Sequence, residues 1–469
     1  MTTYAQVLAR FAADCRDDGL PREVETDAIG RIRDVLGNCL AAHAEESEPG
    51  PLEAVRQVTA SWGGAAQAGA IGMPYRLPAP SAALVNGTLA HALDFDDTHL
   101  PSVLHPSASV VPAALAAAAE TRSDGRALLV AVAVGDEICV RLGAASYLPD
   151  LRNSLFFEKG LHATSICGTI GAAVAAGLLY GLDAPGLVSA VGVAASMGAG
   201  LLEANRTGGT IKRVHCGWAA HAGVSAAALV RAGLTGPPTV LEGRFGFLTA
   251  YLDGRYDSDA LLSGLGERWE VTRTVYKPYP TNHFTHPGID CALALRERGL
   301  DPADIQEIEL AVPGPVLRTI AEPYEEKIRP LSAYHARFSG PYTVATALLG
   351  GGGLGVYLDD FAELRPERLA LAAKVRCVAD ERATDLFPTS FGAALRVRTR
   401  AGALLEHRVD SSRGGPGAPL TQEELAVKFR LNAGRALSVE AVDALESSLS
   451  ELASAGDVDR LTPSWASRP

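Results

Sequence analysis

Residues 166–182 read ICGTIGAAVAAGLLYGL, a nearly continuous apolar run built mostly from Gly, Ala and Leu. A membrane-spanning helix needs about twenty predominantly apolar residues, and this run is shorter and has few large side chains. A helix that is apolar on all sides is normally buried, and small residues let its neighbours approach closely. We therefore predict a helix inside a large helical bundle, and no membrane segment.

Apolar segments with helical spacing recur on both sides of this run. They predict helices at 24–43, 81–95, 112–121, 125–142, 164–180, 184–202 and 218–232. After residue 270 the pattern changes, and strand-like alternation appears at 271–276, 305–312, 374–378, 395–400 and 404–409. Ala401-Gly402 joins the last two of these in a predicted hairpin with Gly in the left-handed conformation. Helices are predicted among the strands at 289–298 and 342–349.

Helices return near the C-terminus, where Thr421 and Glu424 form a predicted capping box and a helix is expected at 438–452. The predicted fold is therefore mainly α. Residues 1–272 and 411–469 form a large all-helical domain built from both chain ends, and residues 273–410 form a smaller, inserted α+β domain.

Charge and cysteine content exclude several functions. The net charge is −12, with an isoelectric point near 5.5, whereas nucleic-acid binders normally present a basic face. The seven Cys are widely spaced and form no C-x-x-C pair, which excludes zinc ribbons and redox dithiols. Their odd number suits a reducing compartment, and we expect a cytoplasmic protein.

The basic residues are strongly biased. Of 42 Lys and Arg only six are Lys, and Lys212 and Lys277 lie in segments rich in His, Gly and Pro. A buried Lys can exchange a proton, which Arg cannot do. The His residues cluster in the same segments. The groups are His91, His99 and His105; His162; His215 and His221; and His283 and His286.

Several of these groups lie next to predicted helix starts. His105 precedes Pro106 and a helix expected from about Pro112, with Ser107 or Ser109 as its cap. His162 precedes the apolar run, with Thr164 or Ser165 as a possible cap, and Lys212 lies just before another helix. Free N–H groups at helix starts attract anions. If these segments converge, they form a small positive pocket suited to a di- or tricarboxylate.

Other ligands are not favoured. Asp94, Asp96 and Asp97 are candidate metal ligands, but they lack the spacing of a calcium loop, and we predict no metal. No G-x-x-x-x-G-K-[ST] phosphate-binding loop occurs, and no G-x-G-x-x-G motif follows a predicted strand, which disfavours ATP and NAD. No G-x-S-x-G nucleophile elbow is present. We predict no cofactor.

Five motifs, in order, carry a family resemblance. They are HALDFDDT at 91–98, G-x-H-x-T at 160–164, K-x-x-H-x-G at 212–217, KPYP at 277–280, and Phe338-Ser339 before an Ala-containing helix. Together they resemble the MmgE/PrpD family. That resemblance implies a helical domain, an inserted α+β lid, a homodimer and a metal-free site. Its members include 2-methylcitrate dehydratase, cis-aconitate decarboxylase and iminodisuccinate epimerase.

The resemblance also matches Asp94, Thr98, His105, His162, Lys212 and Lys277 to the active-site residues of the family, with His283 as a further candidate. We predict that His162, Lys212 and His105 act in catalysis, and that Asp94, Thr98, Lys277 and His283 bind the substrate. Asn282 is an alternative to His283, and which of His162 and Lys212 is acid or base stays open. The expected activity is that of a 2-methylcitrate dehydratase-like lyase acting on a small polycarboxylate. The alternatives are decarboxylation, epimerisation or carboxylate binding without turnover, and a purely structural helical scaffold is a further one.

Overall fold

The computed structural model describes residues 2–45, 50–151, 153–204 and 209–461. Helices take up 58% of the structure and strands 8%. Globular proteins average about one third helix, so this helix content confirms the mainly α prediction. The chain divides into two compact units. The first holds the described residues up to Thr274 and those from Phe429 onward, and the second is Val275–Lys428. The predicted domain limits at 272/273 and 410/411 stay a prediction.

Helices dominate the first unit. They are α1 Tyr4–Asp18, α2 Arg22–Glu45, α3 Pro51–Trp62, α4 Ala79–Ala92, α5 Ser107–Thr121, α6 Gly125–Ala144, α7 Leu155–Glu158, α8 Ala163–Leu179, α9 Ala184–Ala194, α10 His215–Arg231, α11 Phe247–Leu252 and α12 Ser258–Leu262. The structure of this unit differs from the predicted all-helical domain in one detail. Where the chain reverses between α6 and α7, β1 Tyr147–Leu148 and β2 Asn153–Ser154 form a short antiparallel ribbon.

The apolar run lies in α8, and every residue of this helix is buried. It packs against α5, α6 and α10, as expected for a helix without a polar face. Within the described ranges, no helix is both long enough and apolar enough to cross a bilayer.

Two glycines let α4 and α10 approach closely. A Cβ added to Gly87 would lie 2.8 Å from the Cα of Gly217, and one added to Gly217 would lie 2.8 Å from the amide nitrogen of Thr88. His91 follows Gly87 by four residues, and His215 precedes Gly217 by two. The glycine contact therefore brings together the helix ends that carry these two histidines.

The second unit is built around a mixed sheet with the strand order β4-β3-β5-β6. Its strands are β3 Ile305–Val312, β4 Val375–Ala379, β5 Ala393–Thr399 and β6 Leu404–Val409. Strand β3 pairs parallel to β4 and antiparallel to β5, and β5 and β6 form the predicted hairpin. Gly402 in its turn has φ +85°, which confirms the left-handed glycine.

Seven short or medium helices accompany the sheet, and two more follow towards the C-terminus. The seven are α13 His286–Glu297, α14 Leu317–Ile320, α15 Tyr324–Ile328, α16 Ala333–Ala336, α17 Gly340–Leu349, α18 Pro366–Ala372 and α19 Glu381–Leu386; the two are α20 Gln422–Ala433 and α21 Val439–Ser450. The Thr421–Glu424 capping box is confirmed, because each side chain accepts a hydrogen bond from the other residue's amide.

One predicted strand is wrong. Residues 271–276 do not form a strand, because a 3-10 turn occupies Glu270–Arg273. The amides of Glu270 and Val271 donate to the buried carboxylate of Glu137, at 3.1 and 2.8 Å. These donors are therefore already used by a side chain instead of a neighbouring strand.

Two predicted helix limits are also wrong. Helix α5 begins five residues before Pro112, because burial of nearly the whole segment outweighs the one backbone hydrogen bond that proline removes. Helix α9 ends at Ala194 instead of continuing to residue 202. The chain then turns towards the start of α8, where the Gly200 carbonyl accepts a hydrogen bond from the His162 amide at 3.0 Å.

We predict that Gly217→Ala separates α4 from α10 and lowers the free energy of unfolding by about 1–3 kcal/mol, the usual cost of overpacking. Chemical denaturation measures this loss. Gly456→Ala is the control, since an added Cβ there meets no atom within 4 Å. Equal stability of the two variants would contradict the close contact.

Candidate active site

A buried ion pair lies where α4 ends. His91 is in the last turn of the helix, and Asp94 follows with φ +54°, a left-handed conformation that Asp tolerates better than most residues. The chain then reverses, and Asp96 Oδ2 lies 2.7 Å from His91 Nδ1. Burial lowers the pKa of His91, but the Asp96 carboxylate raises it to about 10. His91 is therefore an imidazolium at neutral pH.

His105 lies beside this ion pair. Its ring centroid is 5.1 Å from that of His91, and its Nδ1 is 2.6 Å from the Asp97 carbonyl oxygen and 3.3 Å from Thr98 Oγ1. Its amide donates to Thr164 Oγ1 at 3.2 Å. The contact of Nδ1 with the Asp97 carbonyl oxygen fixes the orientation of the ring.

A second pair of histidines forms where α8 and α10 begin. His162 is the N-terminal flanking residue of α8, and its Nδ1 lies 2.9 Å from Nδ1 of His215, the first residue of α10. The His162 ring is also 5.8 Å from that of His91. Burial, followed by the charge of His91, lowers the pKa of His162 well below its usual value and that of His215 to about 4. Both rings are neutral at neutral pH.

Lys212 lies in the 3-10 turn Thr210–Val214, directly before α10. Its positive charge lowers the pKa of His91, His162 and His215, which places the ammonium within electrostatic reach of all three rings. The structure thus brings together the predicted residues His105, His162 and Lys212, with Thr98 in contact and Asp94 at the turn. We call His91, His105, His162 and His215 the histidine cluster.

A network of buried charges lies behind His105. Asp97 pairs with Arg31 at 3.3 Å and accepts from Ser107 Oγ at 2.6 Å, and Ser107 Oγ is 2.8 Å from Asp136 Oδ2. A hydroxyl donates only one hydrogen, so one carboxyl group must stay protonated. Burial and the Asp97 charge raise the pKa of Asp136 well above its usual value, so Asp136 holds that proton. The network fixes Asp97, whose carbonyl orients His105.

The predicted helix caps have other partners. Ser107 is the first residue of α5 and binds the two carboxyl groups instead of capping the helix. Thr164 accepts from the His105 amide, and Ser165 Oγ donates to the His215 carbonyl oxygen at 3.0 Å. These hydroxyls tie the segments of the histidine cluster together. Among the described residues, no group of three or more His, Cys, Asp or Glu side chains is arranged to hold a metal ion, and the expected absence of a metal at Asp94, Asp96 and Asp97 stays a prediction.

Lys277 and His283 belong to the second unit. Lys277 is buried, and His283 Nε2 lies 3.2 Å from Ser412 Oγ. The Asn282 side chain accepts from the Phe284 amide at 3.1 Å and caps a 3-10 turn, and the choice between Asn282 and His283 stays open. The roles of Lys277 and His283 in substrate binding stay predictions.

Family models match most of the chain. The MmgE/PrpD N-terminal domain matches residues 6–258, and the C-terminal domain of the same family matches residues 279–452. The chain belongs to the MmgE/PrpD family. The resemblance stated from the five motifs is therefore confirmed.

Curated members of this family are similar along most of the chain. The cis-aconitate decarboxylase of Homo sapiens is 34% identical over 406 residues, which cover 82% of this chain and 79% of that protein. The enzyme of the same name from Mus musculus is 32% identical over 402 residues, covering 83% and 78%. A cis-aconitate decarboxylase-like protein from Aspergillus oryzae is 29% identical over 467 residues, covering 94% and 93%.

Two residues of the histidine cluster, His91 and His215, have no role predicted from the sequence, and Asp96, a candidate metal ligand in the sequence, instead pairs with His91. His91 and His215 lie inside the family motifs at 91–98 and 212–217, which was the available signal. Their pairings depend on the turn at Asp94 and on the meeting of α8 with α10, which local patterns do not report.

We predict that the contribution of the His91–Asp96 pair to the free energy of unfolding decreases as the pH rises above neutrality. A folded-state pKa of about 10, above the ordinary value near 6.5, means that the pair stabilises the fold fully below pH 6.5. This contribution is lost as pH rises through 10. The difference in unfolding free energy between wild type and His91→Gln should shrink by up to about 1.4 kcal/mol per pH unit between pH 7 and 10.

Denaturant titrations at several pH values measure this difference. His221→Gln is the control. Burial lowers the pKa of His221, so any pH dependence of its contribution to stability occurs below about pH 6.5 and not between pH 7 and 10. A His91→Gln difference that stays constant from pH 7 to 10 would show that His91 is neutral in the folded protein.

Proposed function

We propose that this protein is a lyase that removes CO₂ from a small unsaturated polycarboxylate of the cis-aconitate type. The curated relatives named cis-aconitate decarboxylase support this choice of reaction over the dehydration that the sequence analysis placed first. The observation that carries the proposal is the histidine cluster itself. It combines a fixed imidazolium, a neighbouring ammonium and two neutral imidazoles in a buried site.

Positive charge in a buried site suits this substrate. His91 Nε2 is buried without a hydrogen-bond partner within the described part of the chain, and the ring lies between those of His105 and His162. An imidazolium has an N–H at this position, which is a strong donor to a carboxylate oxygen. His105 and Lys212, which lie close to the same rings, are candidates to bind a second carboxylate. An acidic protein thus offers a local site for a multiply charged anion.

The reaction needs charge stabilisation and one proton. The bond between carbon and the departing carboxylate breaks, and its electron pair stays on carbon, delocalised into a neighbouring carboxylate. Fixed cations and oriented N–H donors stabilise that charge as it develops. Lys212 then gives a proton to carbon, so a C–H bond replaces the C–C bond and CO₂ leaves. Neutral His162 donates a hydrogen bond to the substrate, and water later restores the proton of Lys212.

The activity is tested with purified full-length protein in D₂O. We expect cis-aconitate to release CO₂ and its product to gain one deuterium on carbon, followed by ¹H and ¹³C NMR. Hydroxylated tricarboxylates such as 2-methylcitrate belong in the same panel. Formation of an alkene from them without CO₂ would favour dehydration, exchange at a stereocentre would favour epimerisation, and binding without turnover would favour a carboxylate-binding protein.

We predict that Lys212→Ala and His162→Ala each lower kcat by about 10²-fold or more, the usual contribution of a proton donor or an oriented hydrogen-bond donor. Lys159→Ala is the matched control, because that lysine pairs with Asp253 at the surface. Its kcat should equal that of the wild type. Near wild-type turnover in either site variant would exclude the proposed role.

The proposal also predicts that chelation leaves turnover unchanged. Activity should be the same before and after dialysis against EDTA. Loss of activity that a divalent ion restores would instead support metal binding by Asp94, Asp96 and Asp97.

A further inference from the structure

The contact between His162 and His215 joins the same atom of two rings. Their Nδ1 atoms are 2.9 Å apart, a normal hydrogen-bond distance. One Nδ1 must carry the hydrogen and the other must present a lone pair. Both rings are neutral at neutral pH, so each carries a single proton, and the choice at one ring fixes the choice at the other.

This contact also decides which atom of His162 is available. Nδ1 of His162 is occupied by His215, so only Nε2 can meet a substrate. If Nδ1 of His162 accepts, Nε2 carries the proton and is a donor. If Nδ1 donates, Nε2 presents a lone pair, which would repel a carboxylate oxygen. The partner of Nδ1 therefore determines whether His162 attracts or repels an anionic ligand.

We propose that His215 is a positioning residue that donates its Nδ1 hydrogen to His162 and thereby holds the proton of His162 on Nε2, facing the substrate. This inference rests on the proposed function, because an anionic substrate is the reason why a donor is needed at Nε2. His215 itself need not touch the substrate.

The surrounding contacts hold both rings in place. The His215 carbonyl accepts from Ser165 Oγ at 3.0 Å, and the His162 amide donates to the Gly200 carbonyl at 3.0 Å. Gly200 packs against the pair, since an added Cβ would lie 3.1 Å from His162 Cβ and 3.5 Å from His215 Nδ1. The position of α10 is fixed in turn by the contact of Gly217 with α4. The geometry of the hydrogen bond is thus set by packed helices.

The charged groups around the pair favour two neutral rings. His91 from α4 and Lys212 from the turn before α10 act on both rings, and His105 from the segment before α5 acts on His162. All of them disfavour a second positive charge. A doubly protonated His162 would carry a hydrogen on Nε2 whatever its Nδ1 contacts. The partner of Nδ1 decides where the hydrogen lies only because His162 is neutral.

A double-mutant cycle tests this role. We expect His215→Phe to lower kcat about 10- to 100-fold, the usual loss when a partner that orients a histidine is removed. In a His162→Ala background the same change should have little further effect, because His215 acts through His162. A purely structural role of His215 would lower kcat by the same factor in both backgrounds and would overturn the proposal.

Conservative replacement and a matched control separate hydrogen bonding from packing. His215→Asn offers an amide N–H close to the position of Nδ1 and should recover most of the loss seen in His215→Phe. His221→Phe changes a histidine on the same helix that contacts the Pro80 carbonyl, and it should keep wild-type kcat. Equal losses in the Asn and Phe variants would contradict the proposed donor.

The tautomer itself is measured without turnover. In ¹⁵N-histidine-labelled wild-type protein, we expect His162 to show a protonated Nε2 and an unprotonated Nδ1, with the reverse arrangement in His215. The signals are assigned from the His162→Ala and His215→Asn spectra. The opposite tautomers would overturn this inference even if the enzyme decarboxylates its substrate. Conversely, the expected tautomers in a protein that releases no CO₂ would refute the proposed function alone.

Discussion

The ion pair between His91 and Asp96 is the interaction on which the rest of the site depends. Placing an imidazolium and a carboxylate in a protein interior costs several kcal/mol per ion unless their geometry is good, and their 2.7 Å contact supplies that geometry. Once the pair is formed, a positive charge is fixed inside a protein whose net charge is −12. Burial and that charge together lower the pKa of His162 and His215 and keep both rings neutral.

The glycine- and alanine-rich helices give this chemistry its precision. The four members of the histidine cluster lie at the ends of buried helices: His91 at the end of α4, His105 just before α5, His162 before α8, and His215 at the start of α10. Small residues allow these helices to pack at close range, as at Gly87 and Gly217. Groups attached to packed helix ends keep their separations, which a site that stabilises developing charge requires. The high Gly and Ala content of these helices therefore contributes directly to the geometry of the histidine cluster.

Sequence patterns predicted the local features of the site, such as helix starts, but not the contacts between residues that are distant in the sequence or joined by an unusual turn. The apolar spacing located α8, the Lys scarcity directed attention to Lys212, and proline and apolar patterns placed His105 and His162 at helix starts. The pairing of His91 with Asp96 was not predicted, because it depends on the left-handed conformation of Asp94. The strand expected at 271–276 failed for a similar reason. A carboxylate more than 130 residues earlier, on Glu137, takes the amides that a strand would have used.

The negative charge of the proposed substrate would compensate the positive charges of His91 and Lys212 in the site. Without a ligand, burial and the charges of His91 and Lys212 together keep His162 neutral. A bound polycarboxylate would bring negative charge next to His91 and Lys212 and would offset the repulsion between these two cations. In the proposed reaction one negative charge is lost with the departing carboxylate, so we expect the site to bind the product less tightly than the substrate.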